Sequence, residues 1–221
     1  MAVEALLFDF DGTLIDTESA EYHAWRETFA EYGLELTVER WSSCIGTIGG
    51  FEPLDELERA VGRIDRDEVE RARQRRLLQL LAREALRPGV ARYLEEARRL
   101  GLKVGIASTS TDEWVVSQLA RIDNDHAFDC VVCANLDPER AKPRPFVYLE
   151  ALAQLRVAPR DAIAFEDSPN GVAAAKAAGI FTVAVPNRIT ATLDLREADL
   201  VLTSLDEIPL EDVLARVPKA A

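Results

Sequence analysis

A largely apolar run, Val3 to Phe8, ends in Asp9-Phe10-Asp11-Gly12, and no other stretch narrows the possible folds as much. The run reads as a buried strand. A buried strand that delivers carboxylates to its carboxyl end delivers them to where ligands bind in open α/β sheets. Two acids separated by one residue repel unless a cation, a shared proton or water lies between them. With a cation, Asp9 reads as a metal ligand and nucleophile and Asp11 as an acid/base just beyond it. The alternative is a strand running into a solvated Asp-Gly turn.

The stretch that follows has a different period. Tyr22, Trp25, Phe29 and Tyr32 recur at helical spacing, with Asp16 or Thr17 as the cap and Gly33 as the stop. Helices are expected near Val38–Cys44, over 53–62 and over 66–86, the last with Val69, Leu77, Leu80 and Leu81 inward. Its Arg71, Arg73, Arg75 and Arg76 read as a solvated face, because Asp65, Asp67, Glu68 and Glu70 stand just before them. Residues 17–86 therefore form an all-helical block, too small to bury much alone, which suggests a lid.

From Pro88-Gly89 onward strands and helices alternate. Strands are expected over 103–107, 129–133, 162–165, 181–185 and 200–202, and helices over 89–100, 112–121, 145–155 and from Ser168 to Gly179. Such alternation means βαβ units, a parallel sheet and right-handed crossovers. The last few residues, 217–221, are expected to fray.

The net charge of −13 disfavours nucleic acid as a partner, because phosphate backbones are gripped by dense Lys and Arg. No apolar run reaches membrane-span length, and no secretory leader pattern stands at the start, so a cytoplasmic protein is expected. Three cysteines, Cys44, Cys130 and Cys133, do not make a disulfide framework. Cys130 and Cys133 have metal-site spacing but lie in an expected strand, where alternation puts them on opposite faces as core thiols.

Four junctions or their neighbourhoods in the α/β part carry chemically useful groups: Asp9 and Asp11, Ser108, Lys142, and Glu166 with Asp167. In a parallel sheet these carboxyl ends share one rim. Lys142 is one of only four lysines in a chain with 26 basic residues, and a compact ammonium suits a crowded metal site better than a planar guanidinium.

Four motifs stand in order: Phe8-Asp9-Phe10-Asp11-Gly12-Thr13-Leu14, Ile106-Ala107-Ser108-Thr109-Ser110, Lys142-Pro143-Arg144-Pro145, and Phe165-Glu166-Asp167-Ser168-Pro169-Asn170-Gly171. On these motifs the whole chain resembles the haloacid dehalogenase superfamily, in its phosphatase and β-phosphoglucomutase-like group. The resemblance implies a Rossmann-like parallel α/β core, residues 1–16 and 87–221, with an inserted all-α cap, residues 17–86. It implies that Asp9 attacks phosphorus, that Asp11 serves as acid and then base, and that Ser108 and Lys142 hold the phosphoryl group. Mg2+ would be held by Asp9, the carbonyl of Asp11 and Asp167, with Glu166 directly or through water. Phosphate or substrate contacts are further expected from Gly12, Thr109, Glu21, His23 and Gly49, with cap loop 45–51 facing the core. Phe146 departs from the pattern, because the family commonly places an orienting acid there, next to Lys142.

The leading expectation is a Mg2+-dependent phosphatase acting on a small phosphorylated metabolite, a sugar phosphate or similar monoester. Dehalogenases of the superfamily lack the second acid, which Asp11 supplies here. Phosphonatases need a cap lysine, and 17–86 contains none. A β-phosphoglucomutase is the alternative. Its cap histidine falls, without gaps, at Glu21, with His23 two residues on, and its cap arginine would lie where Gly49-Gly50-Phe51 stands. A non-catalytic regulatory module is the remote alternative, and loss of Asp9, Asp11, Lys142 or Asp167 would have marked it. A monomer is expected, with a weak homodimer left open.

Overall fold

The computed structural model describes residues 3–42, 45 and 51–218. Its strands are β1 (Ala5–Phe8), β2 (Lys103–Ser108), β3 (Cys130–Cys133), β4 (Ala162–Glu166), β5 (Phe181–Ala184) and β6 (Leu200–Val201). They form one parallel sheet in the order β3-β2-β1-β4-β5-β6. β1 lies between β2 and β4, with Phe8 level with Ile106 on one side and Phe165 on the other. This central place explains its unbroken apolar run, since all four residues of β1 are fully buried.

Alternate residues of β1 serve opposite layers. Leu6 and Phe8 pack with Tyr93 of α5 (Val90–Leu100), Val115 of α6 (Asp112–Arg121) and Val213 of the C-terminal helix (Leu210–Leu214). Ala5 and Leu7 pack with Tyr148 of the helix Phe146–Leu155 and with Ala174 of the helix Pro169–Ala177. Burying each large side chain contributes about 1.5–3 kcal/mol of transfer free energy. Cys133 joins the first layer and Cys130 the second, and both are free buried thiols, as strand alternation requires.

Between β1 and α5 stand α1 (Thr17–Glu31), α2 (Val38–Ser42), α3 (Pro53–Val61) and α4 (Arg66–Leu81). The later helices are α7 (Phe146–Leu155), α8 (Pro169–Ala177) and α9 (Leu210–Leu214). The helical insert has its own apolar cluster of Tyr22, Trp25, Phe29, Leu36, Trp41, Leu57 and Val69, joined by Ile189 from the segment after β5. The chain leaves and re-enters the α/β part side by side, with Ile15 bridged to Leu86 and the Arg87 N–H donating to the Leu14 carbonyl at 2.8 Å. Among the described residues no helix is long and apolar enough to cross a membrane.

Two expectations change, and a third is settled between its two alternatives. α4 stops at Leu81 rather than reaching Leu86, because Leu86 is drawn into the bridge with Ile15. Asp16 caps α1 by accepting from the Ser19 N–H, which leaves the Thr17 hydroxyl for another partner. The arginines of α4 are not all solvated. Arg73 is only 7 % exposed, pairs with Glu21 at 2.6 Å and with Glu70, and lies over the Trp25 ring. α4 packs on α1, and Arg73 and Arg76 meet acids of α1 there.

Candidate active site

The adjacency of β2, β1 and β4 brings three carboxyl ends together, and the segment after β3 adds Lys142. The Lys142 ammonium, 6 % exposed, donates to Asp9 Oδ1 and, at 2.6 Å, to Glu166 Oε1. Glu166 is fully buried and also accepts from the Tyr148 hydroxyl at 2.6 Å and from the Asp167 N–H at 3.2 Å. Lys142 is thus oriented by two carboxylates without the acid expected at position 146. Phe146 instead lies under the Arg140 guanidinium.

Oxygens of Asp9, Glu166 and Asp167 lie within 4.8 Å of one another, and all three residues are buried. Three carboxylates against one ammonium leave an excess of negative charge. Burial raises Asp9 to about 7, with Lys142 opposing and Glu166 adding to the rise. Burial also raises Asp167, helped by Asp9 and Glu166. Burial works against the Lys142 ammonium, but Asp9 and Glu166 outweigh it and hold its pKa above the ordinary value. The set lacks a countercharge and offers hard oxygen ligands, so it fits a divalent cation.

Asp11 is held by three donors. Thr17 Oγ1 at 2.9 Å and Trp114 Nε1 at 2.8 Å reach one oxygen, and Ser110 Oγ at 2.5 Å reaches the other. The first comes from the insert and the other two from the end of β2 and the start of α6, so Asp11 sits where the two parts of the chain meet. Asp167 is steadied by Asn187 Nδ2 at 2.7 Å and more weakly by Thr190 Oγ1 at 3.4 Å. Arg87 donates to the carbonyls of Gly12, Val185 and Pro186, which ties the β1 loop to the segment after β5.

Two glycines make room for these carboxylates. Gly12 has φ +80°, and a Cβ there would stand 2.3 Å from Asp167 Oδ2. A Cβ on Gly171 would stand 1.9 Å from Glu166 Oε2.

Above the rim opens a cavity of about 540 Å³, a usual size for a small-molecule site. Asp9, Asp11, Ser108, Thr109, Lys142 and Asp167 line its floor, and Glu18, Glu21, Trp41, Ile45, Phe51 and Gln74 line the wall formed by the helical insert. Ser108 is 1 % exposed and its hydroxyl accepts from the Ser110 N–H. Thr109 Oγ1 accepts from the Lys142 N–H at 3.3 Å.

The expected residues therefore divide. Asp9, Asp11, Ser108, Thr109, Lys142, Asp167 and Glu21 face the cavity. Glu166 and Gly12 lie beneath it, as support for Lys142 and Asp167. His23 is not part of the lining, because on α1 it lies about 200° around from Glu21. Burial, and then Arg26, lower its pKa. Gly49 lies outside the described residues, as do Ser43, Cys44 and the rest of 46–50. Sequence reasoning missed Glu18, Ser110, Trp114, Tyr148 and Asn187. For Asn187 a signal existed: it follows a strand at the same rim.

Comparison with known proteins finds relatives over nearly the whole chain. Residues 6–185 match the haloacid dehalogenase-like hydrolase family. YhcW of Bacillus subtilis, described as a candidate phosphatase, is 42% identical over 94% of each chain. The β-phosphoglucomutase of the same organism is 30% identical over 95% of this chain and 93% of its own. A crystal structure of a CbbY variant from Rhodobacter sphaeroides with xylulose-(1,5)bisphosphate is 33% identical, covers 98% of this chain and all of that one, and superposes with a TM-score of 0.76.

Proposed function

The chain belongs to the haloacid dehalogenase-like hydrolase family of phosphatases and related enzymes, and from that premise we propose that it is a Mg2+-dependent phosphatase of a small phosphorylated metabolite, a sugar phosphate or similar monoester. The observation that carries this reading is the pairing of a cavity-lining Asp9, held by Lys142, with a separately anchored Asp11 on one cavity floor. In this reading Asp9 Oδ attacks phosphorus and the bond to the ester oxygen breaks, forming an aspartyl-phosphate. Asp11 gives its proton to the departing oxygen, then takes one from the water that hydrolyses the intermediate. Ser108 and Lys142 hold the phosphoryl oxygens, and Lys142 holds the nucleophile in line.

Asp9, Asp167 and the Asp11 carbonyl, with Glu166 beneath, would hold Mg2+, which when bound supplies charge neutralisation for the nucleophile and the phosphate. The insert, residues 17–86, serves as the cap in this reading, carrying Glu18, Glu21 and Phe51 over the bound ester and excluding water. The mutase alternative gains no support from the site, because Glu21 is tied to Arg73 and His23 lies off the cavity.

Phosphate release from a metabolite panel with Mg2+ or EDTA, beside a coupled assay converting β-glucose 1-phosphate to glucose 6-phosphate, tests the reading. Metal-dependent phosphate release without isomerised product is expected. Isomerisation with little free phosphate establishes the mutase instead, and no turnover of any ester leaves a non-catalytic module.

The metal reading has its own pH signature. Asp9 titrates near 7 in the folded chain against an ordinary 3.8, and Asp167 is raised as well. A raised carboxylate contributes stability that is present below its unfolded pKa and is lost as pH rises through its folded pKa. The metal-free site therefore weakens the fold as pH climbs from about 4 through about 7, the same window in which the carboxylates become free to take a cation. The Tm increase produced by Mg2+ is expected to be larger at about pH 8 than at about pH 5. An equal shift at both, read by scanning calorimetry, removes the metal from these carboxylates.

A further inference from the structure

We propose that the cavity selects esters carrying one phosphate and an uncharged or cationic, hydroxyl-bearing remainder, and that Glu18 and Glu21 are the residues that turn away a second anionic group. The inference rests on the phosphatase reading of the floor and concerns what the insert wall accepts.

The charges in the cavity are divided by height. Lys142 is the basic residue among the described lining, and it belongs to the floor, where Asp9 and Glu166 hold it. The wall opposite presents the carboxylates of Glu18 and Glu21, the neutral amide of Gln74 and the apolar faces of Trp41 and Phe51. Among the described residues no base pairs with Glu18, and burial, with Asp11, Glu21, Asp9 and Asp16 as acidic neighbours, raises its pKa to about 8, so it carries its charge only above that pH. Residues 43–44 and 46–50 lie outside the described residues, and their sequence, Ser-Cys and Gly-Thr-Ile-Gly-Gly, contains no Lys, Arg, Asp or Glu.

The guanidinium nearest to Glu21 is withdrawn. Arg73 is 7 % exposed and spends its donors on Glu21 at 2.6 Å, on Glu70 and on Gln74 Oε1 at 2.8 Å. Glu21 thus does two things: it adds negative charge to the wall and masks the cation behind it. Above about pH 8, where Glu18 is ionised, a second phosphate reaching this wall would face two carboxylates with no available cation, in a site partly shielded from water, where like charges repel strongly. A hydroxyl or an ammonium group meets acceptors there, and the CH faces of a sugar meet Trp41 and Phe51.

The test compares, at about pH 9 where Glu18 is ionised, kcat/KM of the wild-type protein with Mg2+ for glucose 6-phosphate, glucosamine 6-phosphate and glucose 1,6-bisphosphate, with p-nitrophenyl phosphate as a reference ester. The bisphosphate is expected to be at least about tenfold poorer than either monophosphate. Glu18→Gln and Glu21→Gln are each expected to narrow that ratio by about threefold or more, Glu21→Gln the further because it also loosens Arg73. A merely structural role lowers all esters together and leaves the ratio unchanged. A bisphosphate turned over as well as the monophosphates, or a ratio unmoved in both variants, overturns the proposal while phosphatase activity stands. Failure to hydrolyse even p-nitrophenyl phosphate overturns the phosphatase reading instead. Calorimetric titration of the Asp9→Asn protein with the same sugar esters then decides the selectivity without turnover, and tighter binding of the bisphosphate overturns it.

Discussion

Asp9→Asn is expected to lower Mg2+-dependent phosphate release by at least about a thousandfold, because an amide cannot form the aspartyl-phosphate of the proposed reaction. The same change is expected to raise the Tm of the metal-free protein at about pH 8. Asp9 is 6 % exposed and its ionised form is disfavoured by burial and by Glu166, so a neutral isostere removes a cost that the folded chain carries. Lys142 keeps Glu166 as its partner in the variant. Activity lost together with stability gained is a signature that a simple folding defect cannot produce. Retention of full turnover places the nucleophile elsewhere, and a fall in metal-free Tm means that the Asp9–Lys142 pair stabilises the fold by more than the burial of the Asp9 charge costs.

Lys142→Met is expected to cost about 3–5 kcal/mol of stability near neutral pH as well as most of the activity, because it leaves buried carboxylates without their cation. Asp9 and Glu166 both lose the ammonium, and Asp167 stands within 4.8 Å of them. Removing the cation pushes the carboxylate pKa values further up, so the folded variant binds more protons than the unfolded chain over a wider range. Its stability deficit is therefore expected to shrink as pH falls from about 8 to about 5, and to shrink on adding Mg2+. Urea melts at the two pH values measure this. A deficit that is the same at both means that Lys142 matters for packing along its stem rather than for charge.

The rim of the site was legible because it follows from local signals. Each strand is an apolar run closed by a turn residue or a helix cap, and parallel topology brings the carboxyl ends together whatever the exact packing. Asp9, Ser108 and Asp167 therefore meet on one floor. The cysteines separate onto two faces for the same reason, since strand alternation is a property of the backbone. Phe146 shows the limit of motif reasoning. The acid expected there orients Lys142, yet that work falls to Glu166, itself bonded by Tyr148 from the first turn of α7.

The wall of the site was less legible, because it depends on the rotation of α1 against α4. Spacing from the first motif points to Glu21 and His23, whereas the helix presents Thr17, Glu18 and Glu21 to the site and carries His23 off it. Likewise nothing local marks Arg73 as buried among the arginines of its helix. Its burial follows from meeting Glu21, 52 residues earlier in the chain. Residue order alone settles the sheet, the four rim motifs and the family, because these rest on periodicity, turn chemistry and the chirality of crossovers. Tertiary packing decides which acids line the cavity and which cations are masked, because side chains far apart in sequence are paired only when helices dock, and the docking angle is a property of the whole interface.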